Sequence, residues 1–383
     1  MTKQFSLWFA ACVLSLSAQA QVPQAPDIAA RAYLLLDVTA NQVLAQKDAD
    51  VPIEPASLTK LMTAYLTFDA LRNKKISLQQ TLSVSPKAWK MPGSRMFIDP
   101  KMQVPVEDLI KGMIVQSGND ATMALAEGVG GTSEHFVQMM NAQAKALGML
   151  NTAYKNPEGL TESGHTTTAR DLSILSVRLM QDFPDFVGYY AIKKYRYAGT
   201  PAANDTNRNL LLFRDPTVDG LKTGHTDAAG FCLVATAKRD FPNLQGRRLV
   251  AIVLGASSEN ARAEEAQKLL NWGYTAYDGI KLFEANQAVV TPAVFKGKES
   301  QVGLGRPAPI VVAVPQGQAA RLKTLVTRPD PLLAPLQKNQ QVATLKVMLD
   351  QVPLADIPLL ALTSVEEAGF VGRTWDSLTL WLK

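Results

Sequence analysis

The sequence predicts an α/β domain, with an antiparallel sheet flanked by helices, followed by an all-β module and a short terminal helix. Three observations carry that expectation. Strand-like stretches lie at both ends of a helical region between Ala29 and about Asn286, so its first and last segments can share one sheet. From about Ala288 to Pro358, short apolar runs are punctuated by Pro and Gly, the pattern of strands and turns. From Gly369 the spacing becomes helical again. We therefore expect an address segment at 1–20, an α/β domain at 21–286, a β-rich domain at 287–366 and a helix at 367–383.

In chain order, Lys3 and the apolar run 5–16, too short to span a bilayer, precede the small-x-small triplet Ala18-Gln19-Ala20. This reads as an export signal, with an N-terminal anchor helix as the alternative. Its removal takes one positive charge and leaves Cys232 as the only thiol, so no intramolecular disulfide can form in an oxidising compartment. Residues 31–37 and 43–47 read as a hairpin across Ala40-Asn41. Residues 58–71 form a helix that is apolar on most sides, hence buried. Helices follow at 106–115, 121–129, 133–147 and 168–180. Consecutive strands of one antiparallel sheet come at 218–222, 231–238 and 249–254, and a helix at 261–272 closes the domain. The β-rich domain has runs at 289–290, 310–314, 322–326 and 342–347.

In the tail, Val371, Trp375, Leu378 and Leu382 share one helical face. Arg373, Asp376 and Lys383 lie away from it, and Leu380 is a misfit. Such a face suits a helix lying at a membrane surface by apolar burial; docking on the β module is the alternative.

Composition narrows the chemistry. With 47% hydrophobic and 19% charged residues, the chain is neither disordered nor collagenous. Three His and two Cys leave too few soft ligands for a zinc or iron–sulfur centre, so no metal or cofactor is expected. A net charge of +5 over 383 residues is no nucleic-acid footprint.

Three short motifs remain. Ser57 and Lys60, in Pro55-Ala-Ser-Leu-Thr-Lys60, are three apart and project from one helical face. Alone, they also read as a capping serine and a snorkelling lysine. Ser117-Gly118-Asn119 breaks two helices and can aim a hydroxyl and an amide into a cleft, or simply cap the next helix. Lys222-Thr223-Gly224-His225 ends a strand. There a cation and a hydroxyl can meet a carboxylate, and Gly224 leaves room for an extended ligand along the strand edge. Each motif is weak, but their order and separation are not: Ser-x-x-Lys, Ser-x-Asn and Lys-Thr-Gly together mark penicillin-recognising serine enzymes. A second Ser-x-Asn, at Ser258, falls out of order.

With these motifs, Asn207-Arg208-Asn209, Ala229-Gly230-Phe231 and the run Val253-Leu-Gly-Ala256, the sequence resembles low-molecular-mass penicillin-binding proteins of the D-alanyl-D-alanine carboxypeptidase type, serine peptidase family S11. The resemblance covers nearly the whole chain. It implies a β-lactamase-like (DD-peptidase) domain followed by a β-rich domain, in the periplasm and attached peripherally to the inner membrane through the terminal helix. The implied partners are peptidoglycan stem peptides and β-lactam inhibitors, and the reaction releases the terminal D-alanine.

Ser57 would be the acylated nucleophile. Lys60 would act as its base, discharged by burial and by the like charge of Lys222, or would stay charged and only orient Ser57. Ser117 would relay a proton, Asn119 would hold Lys60 or the peptide, and the N–H groups of Ser57 and His225 would form the oxyanion hole. Thr223 would take the substrate carboxylate. Arg262 resembles its second partner but reads equally as a solvated surface residue. Glu158, in Asn156-Pro-Glu-Gly-Leu160, is the one residue placed like the deacylating glutamate of a β-lactamase, and otherwise belongs to a plain turn. The rival readings are a β-lactamase of the same fold and a non-catalytic peptidoglycan-binding scaffold.

Overall fold

A computed structural model describes residues 23–381, so the expected export signal and the last two residues of the terminal helix lie outside the described residues. The chain runs β1 (Ala32–Asp37), β2 (Gln42–Lys47), α1 (Lys60–Arg72), β3 (Thr81–Ser83), α2 (Pro86–Trp89), β4 (Gln103–Pro105), α3 (Val106–Val115) and α4 (Asn119–Gly130). Then come α5 (Ser133–Leu147), α6 (Ala169–Asp182), α7 (Leu211–Arg214), β5 (Val218–Thr226), β6 (Gly230–Phe241), β7 (Leu244–Ala256) and α8 (Glu259–Ala276). The main sheet is antiparallel in the order β2-β1-β7-β6-β5, so the first strand pairs with β7, as expected of segments that share a sheet.

Every residue of β1 is buried, because helices cover both faces of the sheet. Successive strand side chains point to opposite faces. Leu34, Leu36, Val250 and Ile252 thus pack with α1 and α3–α6, whereas Leu35, Ala251 and Val253 pack against α8 through Ala266, Leu269 and Leu270. Helix α1 runs through the first of these cores and exposes little beyond its last turn. Strand β5 is left as a sheet edge, with its Lys-Thr-Gly run alongside the N-terminal end of α1.

The second module contains β8 (Tyr277–Phe283), β9 (Ala288–Val290), β10 (Val294–Phe295), β11 (Leu304–Gly305), β12 (Ile310–Pro315), β13 (Leu322–Thr327), β14 (Leu332–Leu333), β15 (Gln341–Leu349), β16 (Val352–Ala361) and α9 (Phe370–Trp381). Its larger sheet has the order β13-β15-β16-β11-β9. Its packing begins ahead of the compositional change at 287: β8 pairs with β12, and Ile280, Leu282 and Phe283 pack on the second module's core. No Pro or Gly separates α8 from β8, which hid that junction from the sequence. Gln42 ties the modules by exchanging hydrogen bonds with the backbone of Ala313 (2.7 and 3.3 Å).

Helix α9 is held by its polar side. Asp376 accepts a hydrogen bond from the Lys296 N–H, and Leu380, the misfit of the helical wheel, turns inward and is partly buried. The opposite face is bare, with Phe370, Val371, Trp375 and Trp381 70–81% exposed.

Candidate active site

Ser57 sits in a tight 3-10 turn, Ala56–Thr59, leading directly into α1. Pro55, not Ser57, occupies the cap position, and no side chain caps the turn, so the half-buried Ser57 hydroxyl is not used as a cap. Ala56 before it has φ +46°, and Ser117 has φ +54°. Non-glycine residues in this left-handed region cost energy and concentrate at functional sites.

Lys60 opens α1 and is 1% exposed. Its Nζ lies 3.0 Å from Ser57 Oγ, 2.7 Å from Asn119 Oδ1 and 2.6 Å from the Glu158 carbonyl oxygen. Burial is the main cause of a pKa lowered to about 7; Glu158 and Asp120 pull it up, and Arg208 pushes it down. Arg208 is the like charge that adds to burial at Lys60, while the repulsion between Lys60 and Lys222 expected from the sequence falls on Lys222. Lys222 is itself buried and held well below its ordinary range, first by desolvation and then by Lys60, Arg208 and Arg262.

Lys222 Nζ lies 3.0 Å from Ser117 Oγ and donates to the Thr223 carbonyl (2.9 Å). Its amine therefore pairs with Ser117, which lines the cavity. Asn119 is committed on both sides: Oδ1 receives Lys60, and Nδ2 donates to Pro92 O (2.7 Å). It holds Lys60 and the loop between α2 and β4.

A cavity of about 210 Å³ lies between these groups, lined by Ser57, Ser117, Asn119, Glu158, Arg208, Thr223, Gly224, His225 and Arg262 among others. Gly224 acts differently from the expectation. A Cβ there would come within 3.1–3.2 Å of Pro55 O, Ala56 Cβ and Leu58 N, so the glycine admits the nucleophile turn rather than a ligand. Arg262 is not a surface residue. It is 2% exposed, bonds Gly224 O (3.2 Å), Arg208 O (3.4 Å) and Glu259 (3.1 Å), and lies over Phe231, on which His225 stacks. The out-of-order Ser258 caps α8 by accepting from Ala261 N (3.0 Å).

Three residues at the site were not singled out from the sequence. Arg208 lines the cavity as an exposed cation, signalled only by its place between two asparagines. Asp120, fully buried, accepts from the N–H groups of Met96, Phe97 and Ile98 (2.7–3.2 Å) and so clamps the loop that Asn119 also grips. His165 bonds Thr59 Oγ1 (2.9 Å), and a lone histidine gives no sequence signal.

The family model for D-alanyl-D-alanine carboxypeptidase, peptidase S11, matches residues 19–258. The chain belongs to this family. A second model, the C-terminal domain of penicillin-binding protein 5, matches residues 277–367, beginning where β8 begins. The D-alanyl-D-alanine carboxypeptidase DacC of Escherichia coli (strain K12) is 40% identical over 364 residues, covering 93% of this chain and 89% of that protein. Penicillin-binding protein 5 of Haemophilus influenzae superposes with a TM-score of 0.83 at 34% identity, over 90% of this chain and all of that one. Penicillin-binding protein D2 of Listeria monocytogenes, solved with ampicillin bound, aligns with 66% of this chain at 30% identity and a TM-score of 0.59. The two-domain fold and the enzyme class expected from the sequence both stand: this is a serine-type D-Ala-D-Ala carboxypeptidase.

Proposed function

We propose that the enzyme trims peptidoglycan stem peptides ending in D-Ala-D-Ala through an ester on Ser57, with Lys60 as base. The observation that carries this reading is the buried Lys60 Nζ, 3.0 Å from Ser57 Oγ and with a pKa near 7. A serine hydroxyl needs a neighbour to take its proton, and a lysine serves only when neutral. Ser57 Oγ attacks the carbonyl carbon of the penultimate D-alanine, and its proton passes to Lys60. The developing oxyanion is taken by the N–H groups of Ser57 and His225.

The bond to the terminal D-alanine then breaks, and its amine receives a proton through Ser117, whose Oγ is held by Lys222. Water adds to the ester carbon and releases Ser57. Thr223 receives the free carboxylate. Arg262 contributes positive charge nearby while holding the Gly224 and Arg208 carbonyls. A β-lactam enters the same path and leaves an ester on Ser57. The two rival readings lose ground here. The chain's family and its relatives are D-alanyl-D-alanine carboxypeptidases, which disfavours the β-lactamase, and both serine–lysine pairs are intact, unlike those of a vestigial scaffold.

The export signal and the bare apolar face of α9 support a periplasmic enzyme resting on the inner membrane surface. Among the described residues no helix is long and apolar enough to cross a membrane.

The test is to incubate the purified chain and Ser57→Ala with a labelled penicillin and with a D-Ala-D-Ala pentapeptide. We expect an adduct on Ser57 and released D-alanine, both lost in the variant. Absence of both from the unmodified chain would refute the enzyme reading. Adduct without D-alanine release would favour the scaffold, and rapid penicillin turnover the β-lactamase.

A further inference from the structure

Strand β16 loses one neighbour part-way along. On one side it pairs with β15 between Val352 and Leu360. On the other side β11 reaches only Leu360 and Ala361. Strand β11 stops there because Pro307 and Pro309 follow Arg306, and a proline has no N–H to give to a ladder. The lane beside residues 355–358 is left without a strand and opens into a cavity of about 720 Å³ between the two modules. Ile174 and Val177 of α6, with Pro309 and Ile357, give it apolar walls. A cleft of this size holds a small ligand or a short peptide.

Four charged side chains line the cleft: Arg170, Arg178 and Arg306 against Asp356. Arg170 is paired with Asp50 (2.6 Å) and Arg178 with Asp182 (2.9 Å). Arg306 differs. It stands where β11 leaves the lane, is partly buried, and makes no side-chain hydrogen bond or ion pair among the described residues. Its Nε is also sealed from solvent. A guanidinium is a rigid fork that matches a carboxylate.

We propose that this lane receives the extended C-terminal segment of a partner protein, added as a strand parallel to β16, with its terminal carboxylate held by Arg306.

Charge selects the direction. Strand β16 runs toward its pairing with β11, so a parallel strand brings its C-terminus to Arg306. An antiparallel strand would bring an ammonium against the guanidinium. The stretch 354–357, between Pro353 and Pro358, is about 13 Å long and accommodates about four residues. Main-chain pairing would supply affinity, and side chains facing the apolar walls would supply selectivity. A protein segment suits such pairing better than a stem peptide ending in D-residues. The stem peptides have their own place in the Ser57 cavity, which shares no lining residue with this cleft.

The test uses the unmodified chain, first acylated by penicillin so that the Ser57 cavity is filled. It is applied to an array of hexapeptides with apolar last residues, each made as the free acid and as the C-terminal amide. Members of the array should bind as acids and about tenfold or more weakly as amides, because the amide loses the charge-assisted pair. Arg306→Gln should lose a similar factor while labelling of Ser57 proceeds at the unmodified rate. In nitrogen-15-labelled protein, a bound acid should move the amide signals of Leu354, Ala355, Asp356 and Ile357 and leave those around Ser57 in place. Binding by no acid, equal binding of acid and amide, or binding that survives Arg306→Gln overturns the proposal. Displacement of a bound acid by a D-Ala-D-Ala pentapeptide or by inorganic phosphate at matching concentration would give the cleft to cell-wall stems or to a free anion, and overturns it as well. The comparison of acid with amide is made on the unmodified chain and stands even if the variant folds poorly.

Discussion

At the scale of single residues, the site depends on a lysine that does not behave as a cation. Lys60, with its pKa lowered to about 7 chiefly by burial, is mostly protonated below that pH and mostly free above it. Acylation should therefore fall about tenfold per unit below pH 7 and level off above it. A flat profile in stopped-flow acylation with a fluorescent penicillin would remove Lys60 as base. The same shift makes stability rise with pH. The unfolded lysine keeps its proton up to about pH 10.4, so from about 7 to that value the unfolded state binds more protons than the folded one. Lys60→Arg keeps the positive charge but cannot accept a proton, and should cut acylation by about 10²–10⁴ with the fold intact. Near wild-type labelling would refute that. Ser57, Lys60, Ser117 and Lys222 were legible in the sequence because order and spacing survive in one dimension. Asp120, Arg208 and the burial of Glu158 were not, because each depends on which distant segment covers it.

At the scale of elements, the loop between α5 and α6 positions the base from behind. It supplies the Glu158 carbonyl to Lys60, and Thr63 Oγ1 ties it down at Pro157 O (2.7 Å). His165 fastens its far end. The Lys155 N–H donates to His165 Nδ1 (3.2 Å), so the ring proton sits on Nε2 and is donated to Thr59 Oγ1 (2.9 Å). Burial lowers the His165 pKa to about 4. Between that value and the unfolded value of about 6.5, the unfolded state binds more protons, so acidification through this window lowers stability. Thermal melting should fall as pH drops from about 6.5 to 4, and less steeply in His165→Gln, whose amide offers an acceptor and a donor without titrating. Equal acid sensitivity in the two proteins would acquit His165. His165→Leu, which leaves the Lys155 N–H and the Thr59 hydroxyl unpaired, should cost about 1–3 kcal/mol by denaturant unfolding. The long helices at 106–115 and 133–147 were readable to the residue. The nucleophile turn, α2 and the β3–β4 pair were not, since segments of three or four residues are stabilised by tertiary contacts rather than by their own periodicity.

At the scale of the whole molecule, the Ser57 cavity and the bare helix face belong to different modules, which fits the proposed division between chemistry and placement. The cavity lies wholly within the first module, and the bare face of α9 lies on the second. Arg247, buried with Asp37 (2.8 Å) and bonded to Tyr277 O (2.6 Å), secures the strand that enters the second module, so the helix is carried on a braced support. The sequence left open whether that helix docks or faces a membrane, and the two sides of the helix differ in the structure. Asp376 and Leu380 face the β module, while Phe370, Val371, Trp375, Leu378 and Trp381 face outward. A fully buried side chain of this kind contributes about 1.5–3 kcal/mol, so replacing two of them should weaken lipid partitioning by well over tenfold. Trp375→Ser combined with Leu378→Ser should therefore shift the protein from sedimenting vesicles to the supernatant, and deletion of residues 369–383 should abolish the association. Neither change touches the cavity, so both proteins should still label on Ser57 and release D-alanine from a soluble pentapeptide at the unmodified rate. Vesicle association that survives the deletion would place the membrane contact elsewhere on the molecule. Loss of labelling would show instead that the helix supports the catalytic module.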